Sequence, residues 1–240
     1  MFQSTKCIVI SKLRYKDNDL IVKCFTESLG VQSFLIRGIF KSSKRKVFHL
    51  AYFGYLSLLE INFDFKKNKG LHFIKDLKVL NAKSLLTIDV QRSSISVFIA
   101  EILDSILDKD YSDIQLFELT ETLIEELMNE EFTNLIHIVY LVYLSKILGF
   151  YPDMTNSNLP YFDLKEGRFT NTSTNEYCIS GEKLIVLKLV LGTDFDTYTS
   201  LIISNANKRA VLEVILLYFK LHLDDFKEPK SLNVLQQVYS

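Results

Sequence analysis

Tryptophan is absent from this 240-residue chain, and cysteine, methionine and proline occur three times each. The three cysteines, Cys7, Cys24 and Cys178, are odd in number and far apart, so they assemble neither a disulfide framework nor a four-thiolate zinc site. A reducing cytoplasm is the expected compartment. The N-terminus lacks a charged stretch followed by an apolar core and a small-residue cleavage site, which excludes a recognisable secretory signal. The longest apolar run, residues 135–144, is broken by His137 and closed by Ser145 and Lys146. That is far too short for a membrane span, and a soluble protein is expected. Catalytic signatures are missing as well: no G-x-S-x-G elbow, no phosphate-binding P-loop, no H-E-x-x-H and no dinucleotide glycine fingerprint. His49, His72, His137 and His222 have no metal-ligand spacing.

What is present is a core and a division of charge. Hydrophobic residues make up 48% of the chain, enough to bury one large domain or two small ones. The formal net charge of -1 conceals an asymmetry: residues 1–80 hold 15 Lys and Arg against 6 Asp and Glu, while residues 81–240 hold 13 against 23. A basic segment joined to an acidic one points to contact of the basic part with nucleic acid or a membrane surface, although lysines also guard strand edges.

The same cut shows in the periodicity. Along residues 55–66 the odd positions read Tyr55, Ser57, Leu59, Ile61, Phe63 and Phe65, the period of a half-buried strand. Leu71, Phe73, Leu77 and Val79 repeat the alternation after a turn at residues 68–70, which predicts a hairpin. Upstream, residues 5–13, 20–26 and 31–37 are β-branched or aromatic-rich and are separated by Asp17-Asn18-Asp19 and by Gly30. Five short strands without a helix predict a small barrel over residues 1–80. Beyond it the period becomes helical. Ile95, Phe98, Ile99, Ile102, Leu103 and Ile106 form one stripe, and Leu116, Leu119, Leu123 and Leu127 a second, backed by glutamates. Residues 132–148 read as a buried helix stopped by Gly149, and residues 210–226 as another. Residues 150–180, with Pro152, Pro160 and a Thr/Asn/Ser cluster, read as loop with a small hairpin. The fold class expected is therefore α+β: a five-stranded barrel domain over residues 1–80 and a mainly helical domain over residues 81–240.

The sharpest local feature is the run 37–46, one glycine and five cations in ten residues: Arg37, Lys41, Lys44, Arg45 and Lys46. Such a loop lays cations along a phosphate backbone, where released counterions supply affinity. Its plainer reading is a solvated turn. Lys66, Lys67 and Lys69 cluster at the hairpin turn, and Arg14 ends the first strand. Tyr15, Phe34, Phe40, Phe48, Tyr52 and Phe53 interleave these cations, most expected in the core and one or two at the surface. Together they make the barrel a candidate nucleic-acid surface. An interaction scaffold whose basic barrel docks an acidic protein is the alternative, separable by salt-dependent DNA binding. A metal-dependent nuclease has no ligand constellation here.

At the level of ordered motifs, residues 7–80 resemble the N-terminal OB-fold of the bacterial recombination mediator family RecO. The resemblance rests on Asp17-Asn18-Asp19, Phe25-Thr26, Gly30, Arg37-Gly38, the basic loop, and Leu50-Ala51-Tyr52-Phe53. It continues through Glu101-Ile102-Leu103, Leu116-Phe117-Glu118-Leu119, Leu148-Gly149-Phe150-Tyr151-Pro152-Asp153, Tyr218, Lys230-Ser231 and Leu235. It implies a non-enzymatic mediator of DNA repair, cytoplasmic and nucleoid-associated. Such a protein binds single- and double-stranded DNA, anneals complementary strands, engages the C-terminal tail of single-stranded DNA-binding protein, and acts with RecR to load RecA. Two departures matter. Where many members carry two Cys-x-x-Cys pairs for zinc, this chain has Met154, Thr155, Asn156 and a solitary Cys178, so no metal and no other cofactor is expected, and Tyr161, Phe162 and Phe169 would hold the loop by packing. The family's proline before Phe53 is Tyr52. For an acidic partner tail to reach the acidic half it needs a cationic rim, for which Lys208 and Arg209 are the first choice because they open an apolar helix.

Overall fold

The computed structural model describes residues 2–41, 48–66, 70–81, 89–109 and 111–238. The chain divides into two compact units, Met1–Met128 with Pro229–Ser231, and Asn129–Glu228 with Leu232–Ser240.

The first unit is built on a five-stranded antiparallel sheet of order β3-β2-β1-β4-β5, with β1 Phe2–Tyr15, β2 Asp19–Thr26, β3 Gly30–Ile36, β4 Leu58–Asp64 and β5 Ile74–Val79. β1 is long enough to serve two partners: its first half pairs with β4 and its second with β2, and a register shift between Val9 and Ser11 gives the bend that curls the sheet. The barrel expected from sequence is OB-like but is not closed by a ladder. Its edges meet at one parallel bridge, Phe34 to His72, where the Leu35 amide donates to the His72 carbonyl and the His72 amide to that of Ser33, both at 2.9 Å. Inside the curl lie Cys7, Val9, Leu20, Val22, Phe34, Leu59, Ile61 and Phe63, the inward positions of the alternating strands.

The alternation across the hairpin needs one correction. The sequence pattern puts Leu71 and Phe73 on the buried side with Leu77 and Val79. Instead His72 and Ile74 are buried at 1% and 9% exposure, while Phe73 is 38% exposed. The cause is a bulge: Asn62 pairs with Asp76 but Phe63 with Ile74, so Lys75 is an extra residue and every side chain before it changes face.

The helices α1 Val90–Ile106 and α2 Ile114–Glu126 belong to this unit and start at the side-chain caps of Asp89 and Asp113. Their apolar stripes are buried as the period predicts, and α1 packs against β1. The Phe117 ring lies 5.6 Å from that of Phe25. Residues 229–231 return to the unit, where the Ser231 amide and hydroxyl both donate to the Glu101 carboxylate at 2.9 and 2.7 Å.

The second unit contains α3 Ile136–Ile147, α4 Gly181–Leu191, α5 Asn205–His222 and α6 Leu232–Val238 with a three-stranded sheet of order β7-β6-β8. β6 is Tyr161–Asp163, β7 Arg168–Thr170 and β8 Cys178–Ser180, one strand more than the expected hairpin. α3 is buried nearly all round. Gly149, at φ +83°, turns the chain out of it, and the residues that follow are stapled down: the Tyr218 hydroxyl donates to the Phe150 carbonyl at 2.7 Å, and the Tyr151 hydroxyl to that of Leu191 at 3.1 Å. α5 begins and ends earlier than the expected 210–226. Among the described residues no helix is long and apolar enough to cross a membrane.

Candidate nucleic-acid interface

The turn joining β1 to β2 and the turn that follows β3 lie side by side. The Gly38 amide donates to the Asp19 carboxylate at 2.8 Å and the Phe40 amide to the Asn18 carbonyl at 3.2 Å. Gly38 sits at φ +67°, a left-handed conformation that explains a glycine at this point. These stitches bring Arg14, Lys16, Arg37 and Lys41 to one end of the sheet. Each arginine is held over a ring: the Arg14 guanidinium 4.8 Å from the centre of Phe40, and that of Arg37 4.7 Å from Phe73. Lys16 lies 5.3 Å from the ring of Tyr15. Among the described residues no ion pair involves Arg14, Arg37, Lys41 or Lys66. Lys66 follows Phe65, whose ring stacks at 5.5 Å on His72, the residue of the edge bridge. The remaining sequence candidates, Lys44, Arg45, Lys46, Lys67 and Lys69, lie outside the described residues.

Other lysines of the basic segment face inward on the unit. Lys6 pairs with Glu121 at 2.9 Å, a hydrogen bond that raises its pKa, and Lys23 pairs with Asp104 at 2.7 Å. Lys12 lies 4.7 Å from the Tyr55 ring, where burial lowers its pKa. Of the aromatics interleaved with the cations, Phe34 and Phe53 are core, Phe40, Phe48 and Tyr52 are half-buried, and Tyr15 is 39% exposed. Tyr52 stands in a short 3-10 turn, Leu50–Phe53, which delivers Phe53 to the core without the family's proline. Sequence reasoning missed Phe73, because the bulge at Lys75 is invisible in the alternation.

In the second unit a hydrogen-bonded knot around Asp163 joins β6 to the loop that leads to Cys178. The Asp163 carboxylate, 2% exposed, accepts from the Thr174 hydroxyl (2.9 Å), the Asn175 side-chain amide (2.6 Å), and the backbone amides of Lys165 (2.9 Å) and Glu166 (3.2 Å). Burial raises its pKa, but these bonds outweigh it and hold the group below the usual carboxylate value. Cys178 is one of the neighbours, with its sulfur 3.5 Å from the Thr174 hydroxyl. Asp153 is occupied by the amide and hydroxyl of Thr155. One thiol and carboxylates already saturated with donors do not fit a tetrahedral zinc, and among the described residues no cluster of His, Cys, Asp or Glu has the arrangement of a metal site. Phe162 and Phe169 meet edge to face at 4.9 Å beneath the knot.

The Lys208 ammonium donates to the Asn134 side chain at 2.6 Å, with its pKa lowered by burial, and Arg209 is half-buried. An open groove of about 420 Å³ between β8 and α5 is floored by Leu164, Ile179, Val214 and Leu217, and its lining cation is Lys183.

Comparison with known proteins agrees with this architecture. Residues 1–82 match the family described as Recombination protein O N terminal, and residues 88–232 match Recombination protein O C terminal. The chain is 35% identical over 240 residues to the DNA repair protein RecO of Christiangramia forsetii, covering 100% of both chains. It is 36% identical over 239 residues to that of Flavobacterium johnsoniae, with 98% of each covered, and 30% identical over 245 residues to that of Bacteroides fragilis, with 100% of each covered. With both halves matched in order and relatives aligned end to end, the chain belongs to the RecO family of DNA repair proteins.

Proposed function

We propose that this protein is a non-enzymatic recombination mediator that binds single- and double-stranded DNA through the turn end of its N-terminal sheet. The observation that carries the reading is the gathering of Arg14, Lys16, Arg37 and Lys41 by the two stitched turns, and in the sequence Lys44, Arg45 and Lys46 follow closely after Lys41. Cations held in register against a phosphate backbone release counterions, so affinity falls steeply with salt. The family's functions are carried over on the resemblance: annealing of complementary strands, contact with RecR, capture of the C-terminal tail of single-stranded DNA-binding protein, and loading of RecA. For the tail, Lys208 and Arg209 are the pair to test first, against Lys183 at the apolar groove.

Titration of labelled single-stranded DNA at several salt concentrations tests the DNA half. Each phosphate contact adds about 0.7 to the log–log slope for a single strand. A slope near zero would leave the basic sheet to an acidic protein partner. Calorimetric titration of the tail peptide tests the second half, and no binding at roughly 50–100 μM protein, where a dissociation constant of about 1–10 μM, some 7–8 kcal/mol, would be plain, would remove the mediator role from it.

A further inference from the structure

The groove between β8 and α5 has an apolar floor and an acidic rim. Ala210, Glu213 and Leu217 follow one side of α5, so that wall runs for about 10 Å at 1.5 Å per residue. The opposite wall is β8, which ends its sheet and pairs with β6 alone among the described residues. At the base Leu164 and Val214 are buried, whereas Leu217 remains 37% exposed. Glu176 and Glu213 stand exposed at the rim with Lys183. Among the described residues no ion pair involves any of these three. The surrounding chain has the same sign as the rim: residues 129–228 hold 13 Asp and Glu against 9 Lys and Arg.

A wall of that length accompanies about three residues of extended chain, at roughly 3.3 Å each. An anionic segment entering the groove meets two carboxylates and one ammonium, and so does a phosphate backbone. A cationic segment pairs with both carboxylates, and apolar side chains beside its cations cover Ile179 and Leu217. In an extended chain successive side chains point to opposite faces, so alternation of the two kinds serves floor and rim at once. We propose that the groove receives a short extended segment of a partner protein in which apolar residues alternate with lysine or arginine. Its apolar side chains lie against Ile179, Val214 and Leu217, and its cations meet Glu176 and Glu213. The site lies wholly in the second unit and does not depend on the DNA-binding reading of the first.

The test uses the full chain and three capped peptides of about six residues, long enough to overhang the groove, in which valine alternates with lysine, with glutamate or with serine. Cys178 lines the groove and reports its occupancy. Cys7 and Cys24 are fully buried, so a neutral maleimide added to the native protein reacts at Cys178. The lysine peptide is expected to slow that reaction about 5-fold when free peptide reaches roughly four times its dissociation constant. The serine peptide should protect more weakly and the glutamate peptide not at all. Glu176→Gln combined with Glu213→Gln keeps the side-chain shapes and should weaken the lysine peptide roughly 3–10-fold, to the level of the serine peptide. Leu217→Ala should weaken it about 3-fold through lost apolar contact. Each rate is compared with that of the same variant without peptide. The proposal is overturned if the serine peptide protects as well as the lysine peptide, if either variant is protected as the parent is, or if no peptide protects. Protection by the glutamate peptide alone also overturns it and gives the groove to an acidic tail.

Discussion

Asp163 shows how much a single side chain can organise. Four donors from two strand-connecting segments converge on one buried carboxylate, so an anion ties both segments to β6. Hydrogen bonds to a charged group contribute about 1.5–3 kcal/mol each when lost from a buried site. Asp163→Asn is therefore expected to lower stability by about 2–3 kcal/mol in urea unfolding, with loss of hydrogen-exchange protection at the amides of Lys165 and Glu166. The pH dependence has a definite sign. A carboxyl whose folded pKa lies below its ordinary value of about 3.9 stabilises fully above that value, and the contribution is lost as pH falls through the lowered folded value. The parent should lose this contribution in acid and the asparagine variant should not. A chelator should leave the melting temperature of either unchanged, and about one zinc per chain in the isolated protein would refute the metal-free account. None of this is legible in the sequence beyond the missing cysteines: Asp163, Thr174 and Asn175 read as ordinary loop residues until the fold brings them together.

Among elements, those with one solvent face stand out by their period, whereas α3, buried nearly all round, is legible only through its apolar length and the glycine that ends it. β4, α1 and α2 each bury one stripe, and their periods of two and 3.6 stand out. α4 carries Leu184, Ile185, Val186, Leu187, Leu189, Val190 and Leu191 with no polar stripe opposite, so it shows no period by which a sequence pattern could place it. The bulge at Lys75 hides Phe73 for a related reason: alternation predicts a face only while the register is unbroken. The turn after β3 is legible, because Arg37-Gly38 pairs a cation with the one residue type that accepts φ +67° without strain. A β-carbon at Gly38 would meet only the Lys41 side chain at 3.4 Å, an ordinary contact, so the cost of Gly38→Ala is that of backbone conformation. It is expected to destabilise the unit by about 1 kcal/mol in urea unfolding and to weaken single-stranded DNA binding by loosening the stitch to Asp19. Unchanged affinity alongside that destabilisation would detach the turn from the interface.

Across the molecule the charge division seen in the sequence overstates what the sheet can offer to DNA. Part of the excess of residues 1–80 is returned within the first unit, where Lys6 meets Glu121 and Lys23 meets Asp104 across to the acidic helices. These are partly exposed pairs, worth about 0.2–1 kcal/mol each, and they serve to hold α1 and α2 against the sheet. The cations left to act at long range are those of the turn end and the basic stretches beyond it, so the two sets should separate in a salt titration. Lys44, Arg45 and Lys46 replaced together by alanine are expected to lower the log–log slope by as much as about 2 for single-stranded DNA, three contacts at roughly 0.7 each, with little change in stability. Lys6→Ala and Lys23→Ala are expected to lower stability slightly and to leave the slope unchanged. If the triple variant keeps the parent's slope while the Lys6 and Lys23 variants reduce it, the DNA path runs over the helix-covered side of the sheet and the assignment of the turn end is wrong.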